Sequence, residues 1–316
     1  MLPETLRDTL WTSSSQGETM NSRRTFNRML LAGAGLALAP AGIRPAFAAG
    51  GDLNLAPIRV VLAPSARAAT VFVFNRGQAA STYAVELVDR LMTAEGSIRS
   101  VADVESEQDV QLQRDRLRSA RSLISYSPRR VSLAPGESQT IRLRVQRPSD
   151  LPEGEYRSHL TITQLPPDES GMTPSRATAP APDGIAVSLR ALFSASIPVI
   201  VRAGAVASAG QIGTISQVHV AASGKMAAHE AIAAEILRTG NGSLYGDVTV
   251  KAVGGGRDAS PLGAIRGIGV YPEIDRRTIK VPLSRTLAKG ETVDVVFTDQ
   301  DVRPGQVIAV ARYTAT

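Results

Sequence analysis

Chemistry in this chain has few residues to work with. The three histidines, His159, His219 and His229, each fall inside a segment that reads as a strand, and no two stand at a spacing that would converge on a metal. The chain has no cysteine, so disulfides, thiolate zinc sites, iron–sulfur clusters and cysteine nucleophiles are excluded. Gly254-Gly255-Gly256 lacks the following helix and the Lys-Ser/Thr that a phosphate cradle needs, and Gly33-x-Gly35 lies in an N-terminal leader. No G-x-S-x-G elbow occurs, and no histidine pairs recognisably with a serine and a carboxylate. Glu86, Asp89, Glu155 and Asp294 read as carboxylates on solvated strand faces and turns. We therefore expect no enzyme, no cofactor and no metal site.

The elements that must position any site are strands. Hydrophobic residues make up 43% of the 316 and charged ones 20%, an ordinary globular balance. With only 4% aromatics, the abundant Val, Thr and Gly favour sheet over helix. The formal charge is +6, yet no run of Lys or Arg is interleaved with aromatics, which argues against a nucleic-acid binder.

The N-terminus reads as an address. Arg23, Arg24 and Arg28 precede a short apolar run from Met29 to Ala39, and Ala46-Phe47-Ala48 closes it as an A-x-A-like cleavage site. Ser22-Arg23-Arg24-Thr25-Phe26 resembles a twin-arginine export signal, with Met20 the natural start. The apolar run is too short to span a bilayer. We expect residues 1–48 to be removed and the mature chain to lie in the periplasm with no membrane span.

Short apolar alternations then follow at 53–63, 69–75, 82–90, 129–133, 138–146, 156–165 and 185–201, separated by turns such as Ala134-Pro135-Gly136 and Pro152-Glu153-Gly154. A second set lies at 211–220, 229–238, 246–252, 264–271, 278–284, 292–298 and 306–314. The expected fold class is all-β, with two immunoglobulin-like sandwiches in tandem, 49–202 and 203–316. Residues 94–122 are charged and loosely periodic, and read as a solvated excursion with some helix. The proline-rich stretch 165–184 reads as a flexible loop.

One strand is too long for this scheme. In IAVSLRALFSASIPVIV, residues 185–201, every odd position is apolar. Extended at ~3.3 Å per residue, the run reaches ~55 Å against ~17–20 Å for a common strand. Either it is an inner strand running into a linker, or it is an edge strand whose surplus apolar face serves a partner. An exposed edge this apolar is otherwise an aggregation hazard.

The stretch YSPRRVSLAPGESQTIRLRVQRPSDLPEGEYRSHL at 126–160 resembles the N-terminal domain of the periplasmic pilus-assembly (fimbrial) chaperones. The likeness is carried by the strand–Pro-Gly–strand hairpin with Ile141-Arg142, by Leu151-Pro152, and by Gln164-Leu165-Pro166. Arg59, followed sixteen residues later by Asn75, adds to it.

The resemblance implies donor-strand complementation, in which Ile185, Val187, Leu189, Ala191 and Phe193 would enter an incomplete pilin-like sandwich. Ile197, Val199 and Val201 would then pack in the chain's own core. It also implies a cationic anchor for a subunit's C-terminal carboxylate, with Arg59 in the first position. The family's lysine falls here at Ile197 or Pro198, so either Arg202 or another cation substitutes for it, or the anchoring of the carboxylate is weaker here. Read alone, Arg59 is equally a solvated strand arginine. The family's Arg-Glu-Ser, whose Glu builds a domain-bridging ion pair, reads Tyr156-Arg157-Ser158 here.

The implied partners are pilin-like or coat-like β-rich subunits and an outer-membrane usher, with weak self-association through the edge strand. A non-catalytic adhesion or scaffolding module of the envelope is the alternative.

Overall fold

The computed structural model describes residues 53–104, 107, 110–166, 192–254 and 260–316. The expected leader, residues 167–184 of the proline-rich stretch and the first seven residues of the long strand lie outside them. The described residues are almost entirely β, arranged as two sandwiches in tandem.

The first sandwich pairs a four-stranded sheet with a five-stranded one. The four strands are β1 (Leu53–Ala56), β3 (Ala68–Asn75), β9 (Ser138–Val145) and β7 (Ile124–Ser127), in that spatial order. Facing them lie β2 (Val60–Leu62), β11 (Ser194–Ala203), β10 (Gly154–Gln164), β4 (Ser81–Val88) and β8 (Arg130–Leu133). Alternating apolar residues of both sheets, among them Val71, Val73, Ile141, Leu143, Val85, Leu160 and Ile162, close the core.

The segment 53–63 was expected to be one strand, but it breaks around Pro57, which lacks an N–H for the ladder. Upstream, β1 pairs antiparallel with β3. Downstream, β2 runs parallel to β11 in the opposite sheet. The chain thus crosses between the sheets at this point, and Arg59 sits at the crossing.

The second sandwich sets β12 (Gly210–Val220), β13 (His229–Arg238) and β16 (Arg276–Pro282) against β15 (Gly263–Val270), β14 (Leu244–Ala252), β17 (Thr292–Asp299) and β18 (Val307–Thr314). Ile232, Ile236, Ile279 and Val281 from one sheet meet Val248, Val250, Val295 and Phe297 from the other. Each of the seven strands lies within two residues of its expected position.

The excursion after β4 is not simply solvated. It forms the hairpin β5 (Arg90–Met92) and β6 (Ile98–Ser100), then a short helix, α1 (Gln111–Arg116), that buries none of its residues. Leu91, Val104 and Val110 give it a small core of its own. Its hairpin docks on the second sandwich: the Thr278 N–H donates to the Ala94 carbonyl (3.1 Å) and the Met92 N–H to Glu273 Oε1 (3.0 Å). Met92 and Ile200 of β11 belong to the second core rather than the first. The loose spacing of its valines hid this docking, because no helix or strand period connects them.

Candidate functional site

The C-terminal half of β11 is an inner strand and its N-terminal half is an edge. Along its whole length it pairs with β10, from Gly154↔Ala203 to Thr163↔Ser194. On its other side only Val199, Ile200 and Val201 have a partner, in β2. Among the described residues, no strand covers Ser194–Pro198 on that side.

The direction of the free groups follows from one bond. Gln164 N–H donates to the Phe193 carbonyl (2.8 Å), so odd residues of this strand turn their backbone groups toward β10. The even residues, Ser194 and Ser196, therefore present N–H and C=O outward. Pro198 ends this open stretch; its missing N–H points outward and leaves no gap in the β10 ladder.

The side chains obey the same parity. Ile197, Val199 and Val201 are 5%, 0% and 0% exposed and belong to the first core, as the sequence suggested. Ala195 packs against that core, and Phe193, next on the same face, is 46% exposed. The apolar face thus runs past the end of the core it serves. Ile185, Val187, Leu189 and Ala191, the remaining expected donors, lie outside the described residues.

Arg59 and Arg202, 143 positions apart in a chain of 316, are brought to one carboxylate. Asp301 Oδ2 lies 3.1 Å from Arg59 Nη2 and 2.5 Å from Arg202 Nη2. Arg202 Nε also reaches Glu155 Oε2 at 3.3 Å. Ser243 donates its N–H and its hydroxyl to the same Glu155 oxygen (3.2 and 3.1 Å), and its hydroxyl accepts from Arg59 Nη2 (3.1 Å). The Arg59 guanidinium lies over the Tyr245 ring, 4.5 Å from its centroid.

These are buried charges. The side chains of Arg59, Arg202, Glu155 and Asp301 are 8%, 10%, 0% and 8% exposed. Arg59 is therefore no solvated strand arginine, and Glu155 is no solvated carboxylate. Burial alone would weaken the Arg202 charge, but hydrogen bonding to Asp301 and the nearby Glu155 and Asp301 charges raise its pKa overall. Asp301 is delivered by the turn between β17 and β18. There the Asp299 carboxylate accepts from the N–H groups of Asp301 (2.8 Å) and Arg303 (2.7 Å).

A second buried pair, Arg157 with Glu273, also joins the sandwiches. The Arg157 guanidinium stacks 4.0 Å from the centroid of Tyr271. Burial raises the Glu273 pKa despite the Arg157 charge beside it. His159, two residues along the same face of β10, is held neutral, its pKa pushed down to about 2 by burial first and then by the charges of Arg157 and Arg90.

At the position of the missing acid the ion pair between the sandwiches is built with reversed sign, Arg157 to Glu273, while Glu155 lies two residues back on β10. A two-residue displacement along a strand returns to the same face, and Glu155 pairs with Arg202 on the neighbouring strand and reaches the second sandwich through Ser243. Asp301, Ser243, Tyr245 and Glu273 escaped the sequence reading, since each is ordinary in its own turn or strand.

His219 pairs with Glu230 at the surface (2.8 Å), and His229 Nδ1 lies 3.0 Å from the Ala227 carbonyl oxygen. Among the described residues, no group of three His, Asp or Glu side chains gathers as a metal site would, and no helix is long and apolar enough to cross a membrane.

The fold and site define a tandem, two-sandwich all-β protein with a half-open edge strand and a buried ionic cluster between its sandwiches. No protein-family model matches the chain, and no curated protein matches it. Among solved structures it is similar to the E. coli chaperone DraB, at 14% identity over 84% of this chain and 96% of that one, with a TM-score of 0.40. It is also similar to the Pseudomonas aeruginosa CupB2 chaperone, at 12% identity over 82% and 97%, TM-score 0.39. A third likeness is to the CsuC–CsuE chaperone–tip adhesion subunit pre-assembly complex of Acinetobacter baumannii, at 13% identity over 84% and 99%, TM-score 0.41. Likenesses this distant carry no functional weight of their own.

Proposed function

We propose that this protein is a periplasmic chaperone that holds pilin-like β-rich subunits by donor-strand complementation and hands them to an outer-membrane usher. In this reading residues 49–202 and 203–316 are its two domains and residues 1–48 its export signal. The observation that carries it is the strand parity at β11. One apolar face leaves the first core at Ala195 and reaches exposed Phe193, and no described strand covers the outward side of Ser194–Pro198; in the sequence the same alternation runs back through Ala191, Leu189, Val187 and Ile185. Such an edge offers an incomplete sheet both a ladder of main-chain hydrogen bonds and a row of alternate side chains.

Arg59 and Arg202 are the cations for the subunit's C-terminal carboxylate, a role supported by their convergence on one carboxylate in the present structure. No catalytic role is assigned to any residue. The alternative of a static adhesion module leaves the open edge without a use.

The test is capture. Tagged full chain and its Phe193→Asp variant are used to recover partners from the native periplasm. A small exported β-rich protein bound by the parent and lost with the variant is expected. Equal capture by both would end the donor-strand reading.

A further inference from the structure

The first sandwich has a second open seam, on the side away from β1, β2 and β11. There β7 ends one sheet, and β8, beside β4, ends the other. β8 pairs with β4 only from Ser81 to Ala84, and just beyond it the Val85 N–H donates to the Arg129 carbonyl (2.9 Å). Among the described residues, no strand lies along that side of residues 86–88.

Ladder parity gives the direction of the backbone groups left over. The Leu165 N–H donates to the Thr82 carbonyl (2.8 Å), so even residues of β4 bond to β10 and Leu87 turns its N–H and C=O the other way. In β7 the neighbouring Leu123 carbonyl accepts from the Gln146 N–H (2.8 Å). Odd residues therefore bond to β9, while Ile124 and Tyr126 turn outward. Leu87, Ile124 and Tyr126 all line one groove of about 430 Å³, which continues along residues 84–88 in a lobe of about 370 Å³.

The groove is also cationic. Arg121 and Arg129 line both lobes. Arg130 opens β8, and Arg142 and Arg144 stand opposite Ser127 and Ser125 of β7. All five arginines are exposed, and none forms an ion pair among the described residues. Two acids lie in the walls. Glu86 is exposed, and Asp89 already accepts from the hydroxyls of Ser119 (3.0 Å) and Ser158 (2.6 Å). Arginine outnumbers acid, which favours an anionic guest.

A phosphate or a sugar acid would engage the arginines and leave the N–H and C=O groups of both edges unmatched. An extended peptide offers both kinds of group in alternation. Strands pair at ~4.8 Å and facing sheets lie ~10 Å apart, so one strand in the seam can reach both edges.

We propose that this seam is a second docking site, which takes an extended acidic segment of a partner protein as a strand between β4 and β7. Its main chain pairs with Leu87 on one side and with Ile124 and Tyr126 on the other, and its carboxylates meet Arg121 and Arg129. The site goes beyond the donor-strand reading and does not depend on it. The open edge of β11 lies at the other side of the sandwich, so both can be filled at once.

The probe is acetyl-Glu-Val-Glu-Val-Glu-amide, titrated into the full chain while backbone amides are followed by hydrogen exchange. Saturating peptide should slow exchange at Leu87, Ile124 and Tyr126 by at least tenfold. The same peptide methylated at every second amide nitrogen keeps its charge but loses one ladder edge, and should bind at least tenfold more weakly. Replacing Arg121→Gln and Arg129→Gln together should weaken the parent peptide by about tenfold, the loss expected for one charge-assisted hydrogen bond. Phe193→Asp should leave its binding unchanged.

No binding, or binding that leaves those three amides unprotected, would overturn the proposal. Equal affinity for the methylated peptide would also overturn it, by reducing the seam to a patch for any polyanion. Protection of the same amides that rises with protein concentration in the absence of peptide would make the occupant a second copy of this chain, and would overturn it too. Failure here would leave the donor strand to be judged by the Phe193 capture, and failure of that capture would leave the peptide result standing.

Discussion

His159 is a titratable group that the fold keeps uncharged. Its pKa falls from the ordinary 6.5 to about 2 in the native state. Between those values the unfolded chain binds a proton that the native chain refuses. Its contribution to stability is therefore fully present above pH 6.5 and is lost as pH falls toward 2, at about 1.4 kcal/mol per pH unit. Glu273 has the opposite sign: its raised pKa favours the fold at low pH, an effect lost as pH rises through the native value. We expect denaturant midpoints to show a loss of about 2 kcal/mol between pH 6.5 and pH 5, and His159→Gln to remove most of it. A variant with the parent's slope would place the titration elsewhere. For the adjoining pair, Glu273→Gln leaves the Arg157 charge buried and should cost about 3–5 kcal/mol. The double replacement Arg157→Met with Glu273→Met should recover most of that. Equal losses in the single and double variants would refute the pairing as the source of the cost.

At the scale of elements, β11 divides at Ala195 into a part that stabilises the chain and a part that does not. Ile197→Ala removes a buried side chain of the first core and should cost about 2–5 kcal/mol, whereas Phe193→Ala, on the same face but exposed, should change stability by less than about 0.5 kcal/mol. Comparable losses at the two positions would mean that Phe193 is core. Most strands were legible because period-two alternation is local; β13, β17 and β18 could be read from their own residues. The break between β1 and β2 was harder, since Pro57 announces an interruption but not a change of sheet. The parity of β11, and so the face shared by Ile197 and Phe193, was visible in the sequence. Where its edge ends was not, because that depends on the three residues of β2 laid alongside it.

The whole molecule is held together by charges that no local pattern links. Arg59 and Arg202 could be singled out, but their shared partner Asp301 lies 99 residues beyond Arg202 in an ordinary turn. Glu155 looked like one more solvated acid, and the docking of the β5–β6 hairpin had no periodic signature. With Ile200 and Met92 in the second core and two buried ionic links between the sandwiches, we expect heat to unfold both in one transition. Calorimetry of Glu273→Gln should broaden or split that transition, and two separate transitions in the parent would contradict the coupling. The most direct test of the donor strand places a photo-crosslinking residue at each position from 185 to 193 and follows adducts with the captured subunit. The account predicts strong crosslinks at Ile185, Val187, Leu189, Ala191 and Phe193, and weak ones at Ala186, Ser188, Arg190 and Leu192. Crosslinks without that alternation, or none along the strand, would contradict it.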